Sequence, residues 1–134
     1  MPTHRMHLKG PWDTRWLNRD EPARRVVMPS DWQSLFGDEA GTVEFRRKFN
    51  QPTNLEPHEH VWIVFDGILG AAQARLNGQR LGRIADNATA AEFEITPHLR
   101  LHNELVVELT FDPQSAGGLP GGLWGPIALE IRFE

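Results

Sequence analysis

The chain has 134 residues, the size of one domain, with 40% hydrophobic and 24% charged residues, a balance that excludes both a disordered and a membrane-spanning polypeptide. Lys and Arg number 14 against 18 Asp and Glu, and the net charge of −4 excludes the basic stripe on which nucleic-acid binding depends. Cysteine is missing, which rules out a disulfide framework, a thiolate metal site and a cysteine nucleophile.

The first residues, Met-Pro-Thr-His-Arg-Met-His-Leu-Lys, lack the apolar core of a signal peptide. No later stretch approaches the roughly 20 apolar residues of a membrane helix, so the expectation is a cytoplasmic protein without a membrane partner. Trp12, after Gly10-Pro11, reads as the plug of one end of a β-sandwich, and Trp16, four residues on, as a surface residue. Asp31 to Phe36 is the one short stretch with helical character.

From Thr42 to Phe49, Val43, Phe45 and Phe49 alternate with Glu44, Arg46 and Lys48, with Arg47 as the exception on the inner face. Val61-Trp62-Ile63-Val64-Phe65 is apolar throughout, which predicts a central strand covered on both faces and Trp62 in the core. Ala72 to Leu76 and Gln79 to Gly82 flank Asn77-Gly78, the pair that a type I′ hairpin favours because both central residues need positive φ. Asn87-Ala88-Thr89 matches a glycosylation acceptor pattern but reads as a polar turn. Glu92 to Ile95 is a short strand, and Thr96-Pro97 opens a helical turn through Leu99. Leu105 to Phe111 and Ile127 to Phe133 alternate in period two. These segments predict an all-β fold: about eight mainly antiparallel strands in a jelly-roll β-sandwich forming one domain over residues 1–134.

Seven pieces of sequence in this order carry a family resemblance. They are Pro29-Ser30-Asp31-Trp32, Val43 to Phe49, Val61 to Gly67, Ala74 to Gly82, Phe93 to Leu99, Asn103 to Val107, and Gly122-Leu123-Trp124-Gly125-Pro126-Ile127. Across residues 8–133 the chain resembles the N-terminal sugar-binding domain of glycoside hydrolase family 2, the β-galactosidase and β-glucuronidase group. The resemblance implies a galactose-binding-like jelly roll. Enzymes of that group continue into an immunoglobulin-like sandwich and a TIM barrel bearing two catalytic glutamates. The sequence here stops at Glu134, so the expectation is a non-catalytic carbohydrate-binding domain, not an enzyme, whose partner is a carbohydrate or a glycosidase that it serves in trans. The alternative is a protein-interaction or structural sandwich without sugar binding, self-association included. The connection from Asp112 to Gly125 is also shorter and richer in glycine than its counterpart in those enzymes.

Glycoside hydrolysis needs two carboxyl groups about 5 to 9.5 Å apart. Glu92 and Glu94 share one face of a strand, but their alternation with Phe93 and Ile95 reads as a solvated outer face. His58 and His60 flank Glu59, and His4 with His7 and His98 with His102 have near-helical spacing, yet none converges on a third ligand and no metal site is expected. No cofactor is called for. A structural Ca2+ held by loop carbonyls, as in some jelly rolls, has no motif of its own here and stays open. Gly117 to Gly122 lacks the Lys-Ser/Thr and following helix of a phosphate loop and reads as a close crossing at the sandwich end. Sugar recognition pairs an aromatic face with planar polar groups. With no Tyr present, the candidate platforms are Trp32 and Trp124, both in loops. Asn77, Arg83, Asp86, Asn87 and Asn103 are the candidate polar contacts, each with an alternative role in turns.

Overall fold

A computed structural model describes residues 4–133. Ten strands are present among them, two more than the alternation predicts: β1 (His4–His7), β2 (Trp12–Trp16), β3 (Arg24–Val26), β4 (Gly41–Asn50), β5 (Glu59–Phe65), β6 (Ala71–Leu76), β7 (Gln79–Ile84), β8 (Ala91–Glu94), β9 (His102–Phe111) and β10 (Ile127–Phe133). The additional strands lie at the polar N-terminal part of the chain, where short edge segments carry no clear alternation. A four-stranded sheet has the order β1-β10-β5-β8 and a six-stranded sheet the order β3-β2-β4-β9-β6-β7. Every described pairing is antiparallel. The result is the expected β-sandwich, with its core between the two sheets.

Alternation decides what enters that core. Val43 and Phe45 from β4, Val61, Ile63 and Phe65 from β5, Leu105, Val107 and Leu109 from β9, and Ile127 and Leu129 from β10 are all buried. Asn77 and Gly78 both take positive φ, at 53° and 81°, and close the β6–β7 hairpin as their sequence predicts. The helix α1 (Trp32–Phe36) is capped by Asp31, whose carboxylate accepts from the Ser34 N–H at 2.8 Å. The Ser34 side chain first, and this N–H second, hold the Asp31 carboxyl below its usual pKa.

Three tryptophans depart from or sharpen their sequence reading. Trp12 is fully buried and its Nε1 donates to the Leu8 carbonyl at 2.7 Å, the plug that was expected. Trp16 is buried, not on the surface: its ring packs edge-on to Trp32 at 5.6 Å and to Phe36 at 5.0 Å. The reason is α1, which folds back over this part of the six-stranded sheet and covers it. Trp62 lies on the outer face of the four-stranded sheet, half-buried, with the Arg132 guanidinium 4.5 Å above its ring. An apolar run does not by itself mean two covered faces; here a charged side chain from β10 supplies the cover.

The two ends of the six-stranded sheet are defined by register. Asn50 pairs with His102 at one end of the β4–β9 ladder and Gly41 with Phe111 at the other. Along β6, Leu76 pairs with Leu105 and Ala71 with Thr110. Asn77 and Asn103 therefore sit at one end of the sandwich, and Gly70, Asp86 and Asp112 at the opposite end, roughly 30 Å away along β9.

Candidate functional site

At the Asn103 end, the amides are consumed internally. Asn77 Nδ2 donates to the His98 carbonyl at 3.0 Å and to Asn103 Oδ1 at 2.9 Å, while Asn77 Oδ1 accepts from the Glu104 N–H at 2.9 Å. Asn103 Oδ1 also accepts from the Arg100 N–H at 2.8 Å, and its Nδ2 donates to the Arg100 carbonyl at 2.8 Å. Asn103 is buried. These two side chains tie a hairpin to the start of β9 with their amides engaged in internal bonds, which argues against their reading as candidate sugar contacts. Trp32 needs the same correction. It is 1% exposed, its Nε1 donates to the Glu39 carbonyl at 2.7 Å, and it packs on Phe36 and Phe111 at 4.8 and 5.4 Å. Trp32 opens α1, within the short stretch whose helical character the sequence shows, and its aromatic ring closes the sandwich.

The opposite end carries a different surface. A groove of about 760 Å³ opens there, inside the size range of small-molecule sites. Leu69, Phe111, Ala116 and Leu119 give it apolar walls, and Asp86, Asn87, Thr89, Asp112 and Ser115 give it polar ones. Strand order explains the gathering. In the order β9-β6-β7, the segments leaving β9 and β7 and the segment entering β6 all emerge at this end. Gly70 forms part of the groove lining at a φ of 128°, and a Cβ there would come within 2.8 Å of Leu109 and of the Thr110 carbonyl. Only glycine fits at that point of the lining.

Of the predicted contacts, Asp86 and Asn87 line this groove, are exposed, and make no hydrogen bond or ion pair within the described residues. Arg83 lies in an adjoining depression of about 560 Å³, which shares Ala71 and Thr110 with the groove. Trp124 is 39% exposed at the same end, but it packs against Gly67 and does not line the groove. The apolar platform is instead Leu119, 63% exposed, from the glycine-rich connection. Sequence reasoning missed Leu119, Asp112, Ser115 and Leu69. Asp112-Pro113, an Asp cap before a proline turn, was a local signal: Asp112 Oδ1 accepts from the Gln114 N–H at 3.0 Å. The glycine-rich crossing is as expected at Gly121 and Gly122, where a Cβ would lie 2.2 Å from Phe111 and 3.4 Å from Trp32. Gly117 and Gly118 face open space and serve through positive φ.

The paired carboxylates Glu92 and Glu94 are engaged elsewhere. Glu92 accepts from Arg132 at 2.7 and 3.2 Å, and Glu94 bonds His60 Nδ1 at 2.7 Å. These partners hold both carboxyls below the ordinary glutamate pKa. A general acid requires the opposite shift, so this face is a ladder of ion pairs, continued by Arg132 and Arg5 on Glu130. His58 stacks on Phe133 at 5.6 Å. Among the described residues no group of three His, Asp or Glu is placed to hold a metal ion. None of the helices among them is long and apolar enough to cross a membrane.

The family described as glycosyl hydrolase 2 galactose-binding domain-like matches residues 31–119. The chain belongs to that family. This galactose-binding-like domain is 28% identical to a β-galactosidase of Vibrio cholerae over 67% of its own length, and spans only 11% of that protein. Among solved structures, it superposes on a β-glucuronidase from Ruminococcus gnavus in complex with D-glucuronic acid with a TM-score of 0.81 at 13% identity, covering 96% of this chain and 29% of the enzyme. A β-glucuronidase from an uncultured Clostridium gives a TM-score of 0.79 at 17% identity, over 98% of this chain and 29% of that one. At such identities the structural likeness carries the fold. The domain thus corresponds to a minor part of each of these enzymes.

Proposed function

We propose that this domain is a non-catalytic carbohydrate-binding module that serves glycosidase chemistry carried out by another domain or chain. The groove at the Phe111 end supports this reading most directly. It combines apolar walls for the C–H faces of a sugar ring with side-chain amide, hydroxyl and carboxylate groups that are free to bond its hydroxyls. The bonding of Glu92 to Arg132 and of Glu94 to His60, with both carboxyls shifted away from acid catalysis, supports a role without hydrolysis. Titration with methyl galactosides and glucosides, followed by calorimetry and by amide chemical shifts, tests the reading. Saturable binding that perturbs the Asn87 and Leu119 amides, and that weakens in Asn87→Ala and Leu119→Ala, is expected. No heat and no shift with any glycan would sink it.

A second reading is an interaction module. Leu119 and Trp124 are both exposed on one connection, where a neighbouring domain or a second copy would cover them. Light scattering tests self-association: a strict monomer at every concentration removes the second copy as the cover.

A further inference from the structure

Alternation turns one charged residue of β4, Arg47, onto the inner face, opposite Leu105 of β9 and in line with the buried Val43, Phe45 and Phe49. A guanidinium has five N–H donors to place. Nη1 of Arg47 donates to the Lys48 carbonyl and Nη2 to the Gly10 carbonyl at 3.4 Å. Nε is buried with no partner, the single such side-chain atom among the described residues. No carboxylate among them pairs with Arg47: burial alone acts on this guanidinium, and it lowers the pKa. Bonds to carboxylates do the reverse at Arg5, Arg46 and Arg132. A part-buried cation without a counter-ion is costly.

Arg47 also lines a depression of about 510 Å³ at the Asn103 end of the sandwich, together with Lys48, Phe49, Asn50, His102 and Asn103. That volume falls inside the size range of small-molecule sites. No carboxylate is in the lining, although the chain as a whole carries a net charge of −4. Glu104, opposite Lys48 in register, is held by Arg46 at 2.6 Å on the outer face. Lys48 is exposed, and His102 bonds Asn50 through Nδ1 at 3.0 Å. The walls thus offer cations and neutral donors around one uncompensated guanidinium.

We propose that this depression is a carboxylate-binding site, with Arg47 as the group that holds the ligand's single negative charge. The planar guanidinium matches the two coplanar oxygens of a carboxylate, which accept from the N–H groups that the Lys48 and Gly10 carbonyls leave. One unpaired cation calls for one negative charge, so the class is a monocarboxylate up to the size of a sugar acid. The site lies at the opposite end of β9 from the groove and does not rest on the carbohydrate reading.

The test titrates sodium acetate, sodium D-galacturonate, neutral methyl galactoside and inorganic phosphate into the isotope-labelled whole chain at neutral pH. Ionic strength is held constant with sodium chloride, so that general screening does not vary. Both carboxylates are expected to give saturable shifts of the Arg47 Nε–H signal and of the Phe49 and Asn103 amides, and the neutral sugar none there. Arg47→Met keeps an apolar stem on the inner face and should weaken carboxylate binding about ten-fold or more, the effect of losing a charge-assisted hydrogen bond. Arg47→Lys keeps the charge without the fork and should fall between the two; it serves also if the Met variant fails to fold. Absence of a saturable Arg47 shift with either carboxylate overturns the inference, as does undiminished binding in Arg47→Lys and Arg47→Met. Tighter binding of phosphate than of acetate overturns the ligand class. Carboxylate shifts at Asn87 and Leu119 in place of Arg47 assign the acid to the groove and overturn the site.

Discussion

The two ends of β9 use the same residue types for opposite purposes. At its start, Asn103 is buried with its amide shared among Asn77, Arg100 and Phe49. Beyond its end, Asp112 stands on a groove wall beside Asp86 and Asn87, which bond nothing else in the described chain. Polar side chains at strand ends therefore do not mark a binding surface by their identity. What separates Asn77 and Asn103 from Asp86 and Asn87 is whether a neighbouring turn presents backbone groups to them. The 3-10 turn Thr96–His98 and the backbone at Arg100 do so at one end. At the other end, no such group meets Asp86 or Asn87 among the described residues, and Gly117 and Gly118 of the connection face open space.

Substitution of tryptophan should separate the ends of the scale most strongly. Trp32→Ala empties the aromatic cluster with Trp16, Phe36 and Phe111, and should cost about 3 to 5 kcal/mol in denaturant unfolding. Trp124→Ala, at a partly exposed ring, should cost about 1 kcal/mol. Equal losses would mean that Trp124 is as structural as Trp32.

Next in size is the amide comparison. Asn103→Ala leaves the Arg100 N–H and the Asn77 amide without their acceptor, and about 2 kcal/mol should be lost in thermal unfolding. Asn87→Ala and Asp86→Ala should change stability by about 0.5 kcal/mol or less while altering sugar affinity. A large stability loss at Asn87 would show that the groove end is also internally bonded.

The smallest effects concern the charged outer face. Glu92, Glu94 and Glu130 have folded-state pKa values lowered by Arg132, His60 and Arg5 respectively, as the first cause in each case. A lowered carboxylate contributes stability above its unfolded pKa and loses it as pH falls through the folded value. Stability should therefore hold above pH 4.5, the reference value for these groups, and decline below it. Glu92→Gln should cost about 1 kcal/mol or less near neutrality, since its side chain is half exposed, and should make the acid decline shallower. An unchanged acid limb in Glu92→Gln would show that the Arg132 pair contributes nothing.

Much of this fold was legible because period-two alternation is a direct consequence of strand geometry. Val43, Phe45, Leu105, Val107, Leu109 and Ile127 face the core on that count alone. Asn77-Gly78 was legible too, since few residue pairs accept two successive positive φ angles. Of the residues that line the groove, the sequence singled out only Asp86 and Asn87. Leu69, Asp112 and Leu119 join them through strand order, which brings together segments up to about 50 positions apart in the chain.

By itself, then, the amino-acid sequence determined the class of fold, its core faces, its tight hairpin and its family, because these follow from local geometry and from residues in a fixed order. Only the tertiary structure decided that Trp32 is a core residue, that Asn77 and Asn103 bind each other, and that Glu92 answers to Arg132. Those outcomes depend on which groups arrive opposite one another across strands, and a side chain's hydrogen-bonding capacity is assigned by its neighbours in space.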